Sequence, residues 1–433
     1  MTMTYPPHVP EPSPPIHGPL LARQDGVALV TVVFLTAVIL TLIVMGSRET
    51  QIELRIAHNA LQAEQALNAA EAGLNHAYGL IKDTNVNGFN DELSNGGTGG
   101  VLASLGSYTT LAGVSYRFAA LGGGANDGYY VKVIDNYDET TGADDPTDDK
   151  DNVITIISRG RVGSAERIVA ATLKGDTLFP SLIFGKLFVS LGGSNTFTDS
   201  FDSRVAPYSA ATAGSNGSLF SNGDISANSG KITVKGNATA SGTVSGGTVT
   251  GTITNGAPPL TFPSIAPCGP PYSTGAGLAG PPKDFKYDAA TGALQVTGTI
   301  NLAPGTYCFG SIAEASKGQI TANGPVIIFI TGDLSLGGGG IVNATQIPSN
   351  LLVLSSYVST GDGITLGGGS DLYAGIYAPD CGIKLTGGAD IFGSLIGRTF
   401  SMQGGAGMHY DEALGKVTFG FTSLYNWHEE RSS

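Results

Sequence analysis

Two aspartates recur at the same place in a repeated glycine-rich motif. Three copies align without gaps, at steps of 19 and 17 residues: LGGGSDL (366–372), LTGGADI (385–391) and MQGGAGM (402–408). Asp371 and Asp390 fall one copy apart, which would bring them to about 5 Å if the copies stack as neighbouring strands. Paired carboxylates can cleave glycosidic bonds. Gly407 holds this position in the third copy, and both aspartates lie in glycine-rich corners. The sequence therefore favours a solvated ladder over a catalytic pair.

A second polar cluster, His409-Tyr410-Asp411, follows the third copy. We interpret it as closing the C-terminal end of the repeat stack. The sequence contains no metal-ligand Cys/His spacing, no nucleophile elbow and no phosphate-binding loop. We therefore predict that the chain is not an enzyme.

Carboxylates crowd the segment DNYDETTGADDPTDDKDN (135–152). Such a cluster repels itself unless solvent or a hard cation relieves it. The spacing does not match the EF-hand loop, so a solvated acidic turn is the favoured interpretation and a calcium site is the alternative. The candidate calcium ligands are Asp144, Asp145, Asp148, Asp149 and Asp151. No other cofactor is indicated.

The chain has three cysteines, which permit at most one internal disulfide. Cys268 lies in a Pro-rich interval, 258–282, that we interpret as a long loop off the repeat stack. Because such a loop can reach a neighbouring coil, we predict a disulfide between Cys268 and Cys308. Export to an oxidising space would favour the bond.

Near the N-terminus, twenty residues from Val27 to Gly46 carry no charge, and 13 of them are Val, Leu, Ile or Phe. A helix of this length matches the roughly 30 Å hydrocarbon core of a bilayer. These side chains favour insertion by roughly 4 to 8 kcal/mol. We predict a Pro-rich segment over 1–26, a transmembrane helix over 27–46, and an exposed amphipathic helix over 47–82.

The residues around this apolar run carry a family resemblance. Gly26-Val27-Ala28-Leu29-Val30 resembles the processing site of type IV prepilins. Charged and polar positions beyond the run resemble the N-terminal signature of PilX-type pilus assembly proteins, a minor pilin family: Glu49, Glu53, Arg55, Asn59 and Glu71. The resemblance covers about 50 residues of the 433.

This resemblance implies that residues 1–26 are a prepilin-type leader, that a prepilin peptidase cuts after Gly26, and that the new N-terminus at Val27 is methylated. It also implies that the helix over 27–46 can form the core of a filament. It implies a single-pass protein of the bacterial inner membrane, with its C-terminal bulk outside the cytoplasm and on the pilus or cell surface after assembly. The implied partners are other pilins and minor pilins. Major pilins carry glutamate at the fifth mature position, where this chain has Thr31, which argues against a major-subunit role.

Beyond the helix, four strand-like runs predict a small antiparallel head over 83–177: 113–121, 129–136, 152–161 and 166–173. From 178 to 415 the repeats predict a parallel β-helix with about 18 residues per coil. Aligned residues would form interior ladders: Leu366, Leu385 and Met402, then Leu372, Ile391 and Met408. This region resembles the β-helical C-terminal part of many PilX-type proteins. Residues 416–433 form a tail whose docking place the sequence leaves open.

We therefore predict an α+β pilin-like N-terminal part followed by an all-β parallel β-helix. The net charge of −13 argues against a nucleic-acid partner. The predicted function is that of a minor pilin-like protein that primes or tips a type IV pilus and displays the β-helix for surface interaction or adhesion. The alternative is a membrane-anchored glycan-binding or glycan-cleaving β-helix protein with no filament role. The sequence does not identify a surface ligand.

Overall fold

A computed structural model describes residues 25–82, 89–136, 145–228, 230–418 and 422–430. The chain divides into two units, 1–64 and 65–433. Most of the predicted leader, 1–26, and the candidate ligand Asp144 lie outside the described residues.

Helix α1 (Asp25–Ile81) is one uninterrupted element of 57 residues. Its side chains from Leu29 to Leu61 are exposed, including the whole described part of the apolar run. Among the described residues it is the one helix long and apolar enough to cross a membrane. The predicted N-terminal apolar helix is confirmed, and it continues without a break through the segment 47–81 that was predicted as its exposed amphipathic part.

The head is an antiparallel sheet packed on the last turns of α1. A short helix α2 (Asn90–Gly97) and a 3₁₀ turn (Gly100–Ser104) precede it. Its first five strands are β1 (Ser107–Leu111), β2 (Val114–Ala120), β3 (Gly128–Asp135), β4 (Val153–Val162) and β5 (Ala165–Gly175). Each strand pairs with the next. Buried and partly exposed residues alternate along β4, as expected for a sheet with one face on a core.

The head core combines helix and sheet side chains. Leu74 and Ile81 of α1 are at most 2% exposed and belong to one cluster with Val131, Ile154 and Ile156. Two glycines permit a close approach between the layers, because a Cβ on Gly160 would lie 2.0 Å from the Ala66 carbonyl oxygen, and one on Gly73 would lie 2.4 Å from Ser158 Oγ.

The rest of the chain builds mainly one twenty-stranded sheet, which we call the stack (183–411). Its N-terminal half contains β6 (Ile183–Leu191), β7 (Thr196–Phe201), β8 (Leu219–Ser221), β9 (Asp224–Ala227), β10 (Ile232–Val234), β11 (Ala238–Ala240), β12 (Val244–Ser245), β13 (Thr248–Val249) and β14 (Ile253–Thr254). These strands pair in parallel with strands of neighbouring coils of the chain.

The C-terminal half adds eleven strands to this sheet, together with four strands of a separate sheet and one 3₁₀ turn (Pro348–Asn350). They are β15 (Leu278–Ala279), β16 (Phe285–Asp288), β17 (Ala293–Val296), β18 (Thr299–Leu302), β19 (Gly305–Phe309), β20 (Ser311–Glu314), β21 (Gln319–Ala322), β22 (Val326–Ile330), β23 (Leu334–Leu336), β24 (Ile341–Asn343), β25 (Leu351–Ser355), β26 (Asp362–Leu366), β27 (Leu372–Leu385), β28 (Ile391–Met402) and β29 (Gly407–Asp411). The strands β15, β18, β21 and β24 form a separate four-stranded sheet. Only β15–β18 and β16–β17 are antiparallel among the described pairs of this half.

The chain enters and leaves the stack at its middle. The strand β28 pairs in parallel with β6, and β29 pairs in parallel with β7, which joins the last coil to the first. From this junction one half runs out to β14, and the other half begins at the opposite end with β16 and returns. The cluster His409-Tyr410-Asp411, in β29, therefore lies between two coils. The expectation that it closes an end of the stack is wrong.

Both predicted ladders are confirmed. Leu366 aligns with Leu385, and Leu385 with Met402; Leu372 aligns with Ile391, and Ile391 with Met408. All six side chains are at most 6% exposed. The first ladder continues across the junction, where Met402 aligns with Leu191 of β6.

The Pro-rich interval lies along the stack instead of projecting from it. Leu260 exchanges hydrogen bonds with Asn222, which follows β8. Phe262 packs on Phe184 of β6, with ring centroids 4.0 Å apart, and the Pro263 carbonyl accepts from Tyr377 of β27. The segment continues to Cys268 at β19, so it crosses both halves. We call residues 258–282 the strap.

The C-terminal tail returns to the head. The strand β30 (Thr422–Glu430) pairs antiparallel with β5 and becomes the sixth strand of the head sheet. Arg167 and Glu429 form an ion pair across this edge, with N–O distance 3.0 Å. The head is thus completed by residues from the far end of the sequence.

The loop 337–340, in the weaker repeat LGGGGI (336–341), is held by a buried carboxylate. Glu314 Oε2 accepts three backbone hydrogen bonds, from the N–H groups of Gly337, Gly338 and Gly340 at 2.9 to 3.2 Å. Burial raises the pKa of Glu314, and these three donors oppose that shift. The glutamate thus satisfies donors that a glycine-rich corner would otherwise leave unpaired.

Candidate functional site

The residues of the proposed cut site lie at the start of α1. Gly26 and Val27 follow the first residue of the helix, Asp25, and Thr31 is exposed one turn further on. The signature residues Glu49, Glu53, Arg55 and Asn59 are also exposed, and Glu71 is partly buried. The cut would thus fall in the first turn of the helix.

The acidic segment is not uniformly solvated. Asp149 is 0% exposed, and its carboxylate accepts from the backbone N–H groups of Phe89 at 3.3 Å and Val153 at 3.2 Å. Its main-chain oxygen accepts from Lys416 Nζ at 2.7 Å. Burial raises the pKa of Asp149, and the nearby Lys416 charge opposes that shift. The carboxylate of Asp149 thus ties the segment to the head, and its main-chain oxygen ties it to Lys416, which follows β29. The solvated-turn interpretation is therefore wrong for Asp149.

The other described candidate ligands accept hydrogen bonds from side chains, in a local turn for Asp145 and from more distant residues for Asp148 and Asp151. Asp145 accepts from Thr147, Asp148 from Asn90, and Asp151 from Asn136. Within the described residues, no three His, Cys, Asp or Glu side chains are grouped so that they could hold a metal ion. Calcium binding stays a prediction, and thermal melts with calcium and with chelator test it.

Cys268 and Cys308 form a disulfide with Cα atoms 5.7 Å apart. Ser273 reinforces the connection, because its hydroxyl accepts from the Cys308 N–H at 2.7 Å. The third cysteine, Cys381, is free and buried, and burial raises its pKa to about 11. Its thiol is therefore protonated at neutral pH and unsuited to act as a nucleophile.

The two repeat aspartates bond to backbone in the next coil. Asp371 Oδ1 accepts from the N–H of Asp390, and Asp390 Oδ1 accepts from the N–H of Gly407. The contacts measure 3.1 and 2.6 Å. This arrangement gives the pair a structural role, since each carboxylate links its own coil to the one that follows.

A group of polar side chains crosses the junction of the two halves; we call it the polar column (His409, Asp199, Tyr208, Lys235 and Asp390). His409 and Asp199 are each 1% exposed, and His409 Nδ1 lies 2.6 Å from Asp199 Oδ1. Tyr208 donates its hydroxyl to Asp199 Oδ2 at 3.0 Å, and Lys235 Nζ lies 3.9 Å from the same oxygen. On the other side, His409 Nε2 lies 3.8 Å from Asp390 Oδ2.

Aromatic rings continue this column along the stack. The centroids of Tyr373 and Phe392 are 4.2 Å apart, and those of Phe392 and His409 are 4.5 Å apart. Tyr208, from the loop after β7, covers the imidazole at 4.0 Å. A general base must reach a substrate proton, and this imidazole is enclosed. The column therefore fastens β29 to β7 and holds the loop that carries Tyr208.

Sequence reasoning singled out His409 but missed Asp199, Tyr208 and Lys235. Asp199 lies 210 positions away from His409 in the chain. No repeat motif marks the strand that contains Asp199, so the alignment of β29 with β7 has no sequence signal.

Asp411 is a buried hydrogen-bond acceptor next to this column. Its Oδ1 accepts from the N–H groups of Ser203 and Ala413, and its Oδ2 accepts from Ser203 Oγ. The Ala413 contact caps a 3₁₀ turn, Glu412–Lys416. Burial raises the pKa of Asp411, and these hydrogen bonds oppose the shift.

The variant Asp411→Asn is expected to be more stable than the wild type at neutral pH. The amide oxygen keeps both backbone contacts, and the amide nitrogen can donate to Ser203 Oγ. Because the native pKa of Asp411 lies above its ordinary value of 3.8, the wild-type fold gains stability as pH falls through the native pKa. The advantage of the variant, of order 1 kcal/mol, should therefore shrink as pH falls. Melting curves at neutral and acid pH measure it, and a pH-independent difference would contradict this account.

Comparisons with known proteins cover only parts of the chain or give weak likeness. Residues 310–417, a quarter of the chain, match a family model described as a domain of unknown function (DUF7305). No curated protein matches. Among solved structures, the competence-associated pilin ComZ from Thermus thermophilus is similar with 13% identity and a TM-score of 0.28, over 85% of this chain and 97% of that one. A TM-score this low does not define a shared fold.

Proposed function

We propose that this chain is a minor pilin-like pilus assembly protein of the PilX type. The observation that carries the proposal is helix α1: its first part is an exposed apolar run, and its last turns carry an antiparallel sheet. An apolar run of this length suits lipid or the core of a filament. Gly26 and Val27 at the start of this helix support processing by a prepilin peptidase, with methylation of the new N-terminus.

The proposed setting is the bacterial inner membrane before assembly and the pilus or cell surface afterwards. Other pilins and minor pilins would contact the exposed face of α1. We further propose that the stack winds as a parallel β-helix, which the successive parallel ladders from β19 to β27 support. In this proposal the β-helix is displayed for surface interaction or adhesion, and the protein primes or tips the pilus without acting as an enzyme.

Two measurements test the proposal. Intact mass of the protein from membranes and from sheared pili should correspond to a chain that begins at Val27. A chain that keeps residues 1–26 would contradict the pilin proposal and favour a plain membrane anchor. Immunogold labelling against the stack should mark pilus ends. Label along the whole shaft would contradict the tip placement, and label absent from pili would favour a priming role.

A further inference from the structure

One end of the stack is formed by three very short strands, β12, β13 and β14, which we call the end coil (244–254). Each pairs on one side only: β12 with β9, β13 with β10, and β14 with β11. These three ladders are the ones with a defined register for the end coil among the described residues. The end coil therefore presents backbone donors and acceptors of sheet edges, apart from the Val244 N–H, which donates to Asn255 Oδ1 at 2.7 Å.

The apolar interior of the stack is open at this end. Three interior ladders continue into the end coil. In the preceding coil their side chains are at most 1% exposed: Ile225, Val234 and Ala238. In the end coil they finish on Val244 and Val249, which are half-buried, and on Ile253, which is 51% exposed. Repeat structures need a polar cap on their terminal coil to stay soluble alone. Here the Asn255 side chain caps the edge at Val244, whereas Ile253 stays 51% exposed.

The opposite end is built differently. There β16 lies antiparallel on β17 and carries Lys286 and Asp288 on its exposed positions. Charged side chains on an edge strand oppose the addition of another strand. One end of the stack is thus protected against pairing and the other is not.

The end coil also lacks charge. Residues 236–282 contain no Asp, Glu, Lys, Arg or His, although the chain has a net charge of −13. Two identical surfaces that meet about a two-fold axis bring like charges together, and the resulting repulsion opposes association. The end coil is a surface on which two copies can meet without that repulsion.

We infer that the end coil docks on the end coil of a second copy of this chain. A two-fold axis perpendicular to the stack sets facing strands antiparallel, so their free backbone groups can pair across the interface. The same contact covers Val244, Val249 and Ile253 in both copies. This inference does not depend on the pilin proposal, because it uses only the stack.

The test uses the full chain with one copy in each lipid nanodisc, which sequesters α1 in every sample. Sedimentation should show dimers of discs that increase with concentration. The variant Ile253→Asp adds a facing charge pair and should raise the dissociation constant at least about tenfold. Its melting temperature should stay near that of the wild type because Ile253 is half-exposed. The matched control Lys286→Asp, at the protected end, should associate like the wild type.

Cross-linking supplies an independent readout. The variant Thr254→Cys, treated with a short bis-maleimide, should give a homodimer, whereas Lys286→Cys should not. The inference is overturned if the wild type stays monomeric at every concentration, if Ile253→Asp associates as tightly as the wild type, or if Thr254→Cys in cells joins the end coil to a different protein.

Discussion

Loss of the Cys268–Cys308 disulfide is expected to lower the free energy of unfolding of the stack by about 4 kcal/mol. The bond closes a loop with a sequence separation of 40, and a cross-link of that span removes much conformational freedom from the unfolded chain. The variant Cys308→Ser should therefore unfold at a clearly lower urea concentration than the wild type.

Because the strap contacts both halves of the stack, the disulfide does more than close a local loop. Between its contact with Phe184 in one half and its bond to β19 in the other, it crosses the junction of the two halves. Without the disulfide, amide hydrogen exchange in residues 260–280 should accelerate before the stack unfolds. Reductant should shift the wild type to the behaviour of Cys308→Ser and should leave that variant unchanged. Equal urea transitions for the two proteins would contradict the prediction.

The sequence predicted structure well where the chain repeats itself. The aligned copies at 366–408 fix which residues share a ladder, because neighbouring parallel strands in register place equivalent residues side by side. The same holds for the long apolar run, whose length and lack of charge favour one helix. The four strand-like runs correspond to β2 to β5, within a few residues at each end.

The missed elements depend on contacts between distant parts of the chain. The strand β30 joins the head from the C-terminus, and β29 joins β7 across the junction, with no motif in either case. Asp149 was expected in solvent because its neighbours in sequence are acidic, yet its burial depends on Phe89 and Lys416. The acidic composition of a segment does not show which hydrogen-bond donors from distant parts of the chain contact its carboxylates.

Substitution of Gly160 is expected to separate the head sheet from α1. A Cβ there would lie 2.0 Å from the Ala66 carbonyl oxygen and 2.4 Å from the Ala70 nitrogen. Both are backbone atoms of a helix and cannot rotate away, so the strand or the helix must shift. Even Gly160→Ala should cost about 3 kcal/mol, near the upper end for overpacked cores.

The matched control is Gly79→Ala, in α1 itself, where an added Cβ has no neighbour within 4 Å. That change should stabilise α1 by up to about 1 kcal/mol, since Ala is the better helix former. Thermal unfolding of both variants measures the contrast, and hydrogen exchange at Ala66 and Ala70 reports whether the two layers separate. If Gly160→Ala had the same melting temperature as the wild type, β4 would not pack tightly against the backbone of α1 at this position, and the prediction would be wrong. Under the proposed function, Gly160→Ala should also reduce pilus assembly, whereas Gly79→Ala should preserve it.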